Sequence, residues 1–164
     1  MTLSAQDKAV LKWFGLSVLI YLAVVDGGSV LYMIIATAVR GLIGYNGHTL
    51  PPETLEHPLS SFAQYVLSLL GFGVFFGLFG FLEIGAACAS VTFFAFVYCK
   101  SPVIVRSVSG LAAAVASGFW MLGAVWYVAG HDETVWITTA LGAITGAWLL
   151  PRGYPAGANV NLSQ

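Results

Sequence analysis

Residues 62–99 read FAQYVLSLLGFGVFFGLFGFLEIGAACASVTFFAFVYC, and Glu83 is the only formal charge among them. These 38 residues would extend about 57 Å as one helix at a rise of about 1.5 Å per residue. The hydrocarbon core of a bilayer is only about 30 Å thick. The stretch is therefore either two short spans turning at Glu83-Ile84-Gly85, or one span with a lead-in helix lying at the interface. That choice sets the topology of the whole chain.

Three further apolar blocks flank it. Trp13 to Ala38 is interrupted by Asp26-Gly27-Gly28, and Val103 to Ala129 and Val135 to Leu150 follow. The whole chain is 164 residues, 59% hydrophobic and 8% charged, with a mean hydropathy of +0.88. A soluble domain carries about 25% charged residues, so this composition excludes a soluble globular protein and a disordered chain. A net charge of −1 supplies no footprint for a phosphate backbone, so no nucleic-acid partner is expected. The composition implies an all-α polytopic membrane protein.

Positive charge distribution arbitrates between four and five spans. With a cytoplasmic N-terminus, four spans put Lys8, Lys12, Lys100, Arg106 and Arg152 inside and only Arg40 outside. Five spans from the same start give two inside and four outside, and inversion gives four to two. The expected fold is thus a four-helix transmembrane bundle with both termini cytoplasmic. It forms a single domain over residues 1–150, with spans at about 12–39, 70–99, 103–129 and 134–150. Residues 41–61 form the outer loop, and 151–164 a disordered cytoplasmic tail. The absence of a good Ala-x-Ala site favours a retained signal-anchor over a cleaved signal peptide. The expected location is a bacterial inner membrane.

Interfacial aromatics agree with this arrangement. Trp13, Tyr98, Trp148 and Tyr154 fall at the inner interface, and Tyr45, Trp126, Tyr127 and Trp136 at the outer one. Helix-end signals are also present. Ser4-Ala5-Gln6-Asp7 and Ser61-Phe62-Ala63-Gln64 resemble capping boxes. Ser101-Pro102 reads as an N-cap with a first-turn proline, Gly130 as a C′ residue, Asp132 as a cap and Pro151 as a stop.

Helices associate in lipid through small residues that let backbones approach. Gly73, Gly77 and Gly80 make such a stripe on the second span. Gly110, Ala114 and Gly118 make one on the third, and Gly142 and Gly146 on the fourth. Each stripe can serve within one chain or between chains.

Asp26 and Glu83 break the apolar pattern. A carboxylate at the bilayer centre costs about 2.5–3.5 kcal/mol on insertion scales. The four-span register puts both at nearly one depth, with no Lys, Arg or His beside them. They suit a proton or cation site. The preferred reading is a structural role, hydrogen-bonding to Ser29, Ser90 or a carbonyl freed at Gly27-Gly28, or answering a cation on a partner. A carboxyl dyad sharing a water is the remaining alternative. Gly27-Gly28 either unwinds the helix beside Asp26, as in the broken helices of transporters, or makes room for a neighbour.

His48, His57 and His131 fall on the outer side with Glu53, Glu56, Asp132 and Glu133. They are candidate metal or pH-sensing residues, but their spacing matches no zinc pattern and solvated loop charge is the preferred reading. No histidine lies within a span, which argues against a bis-histidine haem. Cys88 and Cys99 are about 16 Å apart on one helix and cannot pair there. The phosphate-loop, HExxH and GxSxG motifs are absent. No cofactor is expected. The leading expectation is a non-enzymatic membrane protein acting through helix contacts with another membrane protein or itself. It would be an accessory subunit, assembly factor or regulator, and by size and span count an immunity or exclusion protein also fits. The alternative is a small proton- or cation-coupled transporter or channel using Asp26 and Glu83.

Overall fold

The computed structural model describes residues 4–43, 63–64, 66–68, 70–71, 80–99, 101–128, 132–152 and 154–155. It is all-helical, with no strand among the described residues. Three helical segments are long and apolar enough to cross a membrane: Ala5–Ala36, Pro102–Gly123 and Glu133–Arg152.

The first segment is one rod. Helix α1 (Ala5–Tyr21) runs through a π turn at Leu22–Asp26 into α2 (Gly27–Ile43). Ser4 starts it with a capping box: the Asp7 N–H donates to Ser4 Oγ at 3.1 Å, and the Ser4 N–H donates to an Asp7 carboxylate oxygen at 3.1 Å. Gly27-Gly28 does not unwind the rod. The widened ladder closes instead through the Gly27 N–H to the Leu22 carbonyl. Gly28 gives room to Leu141, whose Cδ1 would stand 2.9 Å from an added Cβ, whereas Gly27 faces open space.

Helix α3 (Leu82–Tyr98) continues back through π-helical Gly80 and Phe81, and residues 63–64, 66–68 and 70–71 are also helical. The 17 residues of α3 reach about 26 Å, a little short of the hydrocarbon thickness. A tight turn at Ser101 leads into α4 (Pro102–Val128), whose first residue is the proline expected there. The last rod is α5 (Asp132–Ile144), a π turn at Thr145–Leu149 and the single turn α6 (Leu150–Arg152). Pro151 lies inside α6 rather than ending the rod before it. A proline ring clashes with the carbonyl of the preceding turn in a regular helix, and the π turn placed just before Pro151 widens that turn. Tyr154, expected in the tail, stacks on Phe96 with ring centroids 4.1 Å apart and meets Trp13 edge-on at 5.1 Å.

The rods close on one another. The first packs on α3 and on the last, and α4 packs on α3 and α5. Tyr21, Val25, Phe81, Cys88, Ala113 and Leu150 form the central apolar cluster. The seam between α4 and the last rod is built from small residues. A Cβ added at Gly110 would stand 3.0 Å from Ala147 Cβ, and one at Gly118 would stand 2.6 Å from Thr139 Oγ1. One at Gly142 would reach the Ala113 carbonyl at 2.6 Å, and one at Gly146 would reach Ala113 Cβ at 2.7 Å. Close backbone approach replaces the hydrophobic effect, which drives nothing between helices in lipid. The outside is apolar: Leu11, Leu19, Leu111, Phe119 and Trp136 are all exposed. A belt of this kind suits lipid rather than water.

Candidate functional site

The interior of the bundle is rich in hydroxyls, and their bonds can be followed in direction. Ser117 Oγ donates to the Ala113 carbonyl at 2.6 Å. A serine has one proton to give, so the Tyr21 hydroxyl must be the donor in its contact with Ser117 Oγ. Tyr21 and Cys88 also share the central apolar cluster. One directed chain thus links α1 and α4. A second runs from Thr138 to Ser29 at 2.7 Å and from Ser29 Oγ to the Val25 carbonyl at 2.5 Å. It ties the last rod to the π turn of the first. Ser109, Thr134 and Thr145 are buried with hydroxyls that make no hydrogen bond to a described residue.

The two acids that break the apolar pattern sit at the edge of this lattice. Asp26 is the last residue of the first π turn and is half-buried. Such turns occur mostly as single insertions, frequently at functional sites. Glu83 lies in the first turn of α3 and is exposed. A Cβ on Gly85 would stand 3.2 Å from the Tyr21 ring, which puts Gly85 level with Tyr21. From that register, Asp26 and Glu83 differ by about 5 Å along the bundle. Neither makes a hydrogen bond or ion pair with a described residue. The serines expected to receive them bond elsewhere: Ser29 to Val25 and Thr138, and Ser90 to the Ala86 carbonyl at 2.8 Å.

Glu83 heads a stripe along α3. Ala87, Val91, Phe94 and Tyr98 follow it at steps of four, four, three and four residues, and all five are exposed. Phe94 and Tyr98 stack, with ring centroids 6.4 Å apart at 17°. Of the other candidate residues, Gly80 lies under the Trp120 indole and Ala114 is half-buried on α4. Gly73, Gly77, His48, His57 and His131 lie outside the described residues, as does most of the 41–61 loop. Among the described residues, no group of three or more His, Cys, Asp or Glu side chains could hold a metal ion.

Tyr21 with Ser117, and Ser29 with Thr138, were not singled out by the sequence as hydrogen-bonded pairs. The signal that marks some of these hydroxyls is spacing. Ser109 and Ser117 lie eight residues apart on α4, and Thr134, Thr138 and Thr145 fall at helical intervals on the last rod. Comparison of the chain with protein families, with curated proteins and with solved structures finds no match.

Proposed function

We propose that the chain is a small non-enzymatic integral membrane protein that acts through lateral helix contacts, as an accessory subunit, assembly factor or regulator of a membrane complex. The proposal includes four spans, cytoplasmic termini and a bacterial inner membrane. In this topology α3 is the second span, extended by residues preceding it. The tight α3–α4 turn and the basic residues Lys8, Lys12, Arg106 and Arg152 then share the cytoplasmic side.

The observation that carries the reading is the exposure of Glu83 on an apolar helix. A carboxyl group facing lipid is costly. Its own bundle offers it no hydrogen bond or ion pair among the described residues. A neighbouring membrane helix bearing a Lys or Arg at that depth removes the cost, and Ala87 one turn along leaves that helix room to approach. A second copy of this chain fits less well, because a parallel pair would bring two Glu83 side chains together.

The test is the assembly state in the host membrane. The tagged chain, released gently and weighed intact by native mass spectrometry, is expected in a stoichiometric complex with another protein. Glu83→Leu should release it as a single chain of unchanged helicity. A wild-type chain that runs alone, or only as a homo-oligomer, overturns the proposal.

Ion-coupled transport is the second reading. It is favoured by Asp26, half-buried at a π turn one turn before the Ser29–Thr138 pair.

A further inference from the structure

The basic end of the bundle carries a feature that the partner-helix reading does not use. Arg106 on α4 and Arg152 on α6 both hold their guanidinium groups over the Trp148 indole, at 5.5 Å and 5.8 Å from the ring centroid. All three side chains are exposed. Neither arginine makes an ion pair with a described residue. Two cations without an ion pair among the described residues, gathered on one indole, form an anion seat, and the planar guanidinium fork matches phosphate. Tryptophan and arginine placed together at the end of a span also mark the headgroup level of a bilayer.

Arg152 belongs to a second feature. It stands at one end of a groove of about 270 Å³ between the first and last rods, lined by Trp13, Leu16, Ser17, Ile20, Leu149 and Leu150. At its floor Trp13 Nε1 donates to the Leu150 carbonyl at 3.0 Å and links the two rods. The lining is almost wholly apolar. It has bulky Leu and Ile side chains where a docking helix would need small ones. A flexible alkyl chain has no such requirement.

We propose that the groove and the two arginines together bind one anionic phospholipid, with its phosphate on Arg106 and Arg152 and an acyl chain along Leu16, Ile20 and Leu149. Basic pockets between membrane helices on the cytoplasmic side recognise such headgroups. The site is independent of Glu83, which lies within about 3 Å of the level of Tyr21 in the middle of the bundle.

Native mass spectrometry of the purified full-length chain in mild detergent tests this, titrating phosphatidylglycerol against phosphatidylcholine of the same chain length. Phosphatidylglycerol is expected to bind at least tenfold more tightly. Arg152→Gln and Arg106→Gln should each remove most of that preference while leaving phosphatidylcholine unchanged. Lys8→Gln, which deletes one charge from the same end but outside the groove, should leave the preference intact. Leu16→Trp, which narrows the groove, should weaken both lipids. Circular dichroism checks that each variant stays folded, and Arg152→Lys should keep part of the preference if Arg152→Gln does not fold. Equal binding of the two lipids overturns the proposal, as does an equal loss in Lys8→Gln, which would mean a diffuse field. Displacement of phosphatidylglycerol by an equal concentration of inorganic phosphate also overturns it and identifies a free-phosphate site.

Discussion

Tyr21 and Ser117, 96 positions apart in the chain, meet hydroxyl to hydroxyl in the middle of the bundle. Tyr21 is fully buried, and its ring also packs on Phe81 and over Gly85. Ring and hydroxyl therefore contribute separately. Interhelical hydrogen bonds in membranes average only about 0.6 kcal/mol, whereas removing a large buried ring costs about 3–5 kcal/mol. Tyr21→Phe is expected to lower stability by less than about 1 kcal/mol, and Tyr21→Ala by several times more. Reversible unfolding in mixed micelles measures both. Equal losses would mean that the hydroxyl chain, not packing, holds the centre.

The glycines divide by what faces them. An alanine methyl at Gly142 or Gly146 overlaps the backbone of α4, which cannot rotate away. Gly123 and Gly15 face nothing within 4 Å. Gly142→Ala and Gly146→Ala should each destabilise by about 1–3 kcal/mol through overpacking. Gly123→Ala and Gly15→Ala should be neutral, or stabilising by up to about 1 kcal/mol through helix propensity. Thermal denaturation in detergent ranks the four variants, and an unchanged Gly146→Ala would contradict the packed seam between α4 and the last rod.

The two cysteines are both free, but Cys88 is buried and Cys99 is partly exposed at the end of α3. Maleimide added to the folded protein should modify one thiol per chain, at Cys99, and a second only after denaturation in dodecyl sulfate. Intact-mass measurement counts the adducts. Rapid double labelling of the folded chain would mean that the Tyr21–Cys88 core opens.

Topology has its own test. Thr49→Cys, placed in the expected outer loop, should react with an impermeant maleimide in intact cells. In a Cys99→Ser background, Ala5→Cys should react only after permeabilisation. Labelling of both from outside would rule out the cytoplasmic N-terminus.

The acids separate the two functional readings. Vesicles containing the purified chain are expected to leak protons no faster than empty vesicles under an imposed pH gradient. Asp26→Asn, whose amide still hydrogen-bonds, should leave the host complex intact. A flux that Asp26→Asn abolishes would sink the subunit reading and establish ion coupling.

Much of this was legible along the chain. Charge scarcity and the apolar blocks identify a membrane protein because lipid admits few charges and demands spans of a set length. Ser4 marks a helix start because an unpaired N–H at a helix end needs a local partner, and Pro102 because its missing N–H is one that the first turn leaves unpaired anyway. The glycine stripes on α4 and α5 are visible because a shared face recurs at helical spacing.

Other features depend on which faces meet in space. Helical period places Asp26 and Glu83 at similar depth, but only the packing turns Glu83 outward and leaves Asp26 half-buried. The serines expected beside the acids bond carbonyls one turn back, because a hydroxyl in lipid finds its nearest acceptor on its own helix. The π turns at Leu22–Asp26 and Thr145–Leu149 shift each rod's face by part of a turn, which no periodicity along the sequence reports. The pairing of Arg106 with Arg152 over one indole likewise appears only when α4 and α6 come side by side, since local spacing carries no information about contacts between residues far apart in the chain.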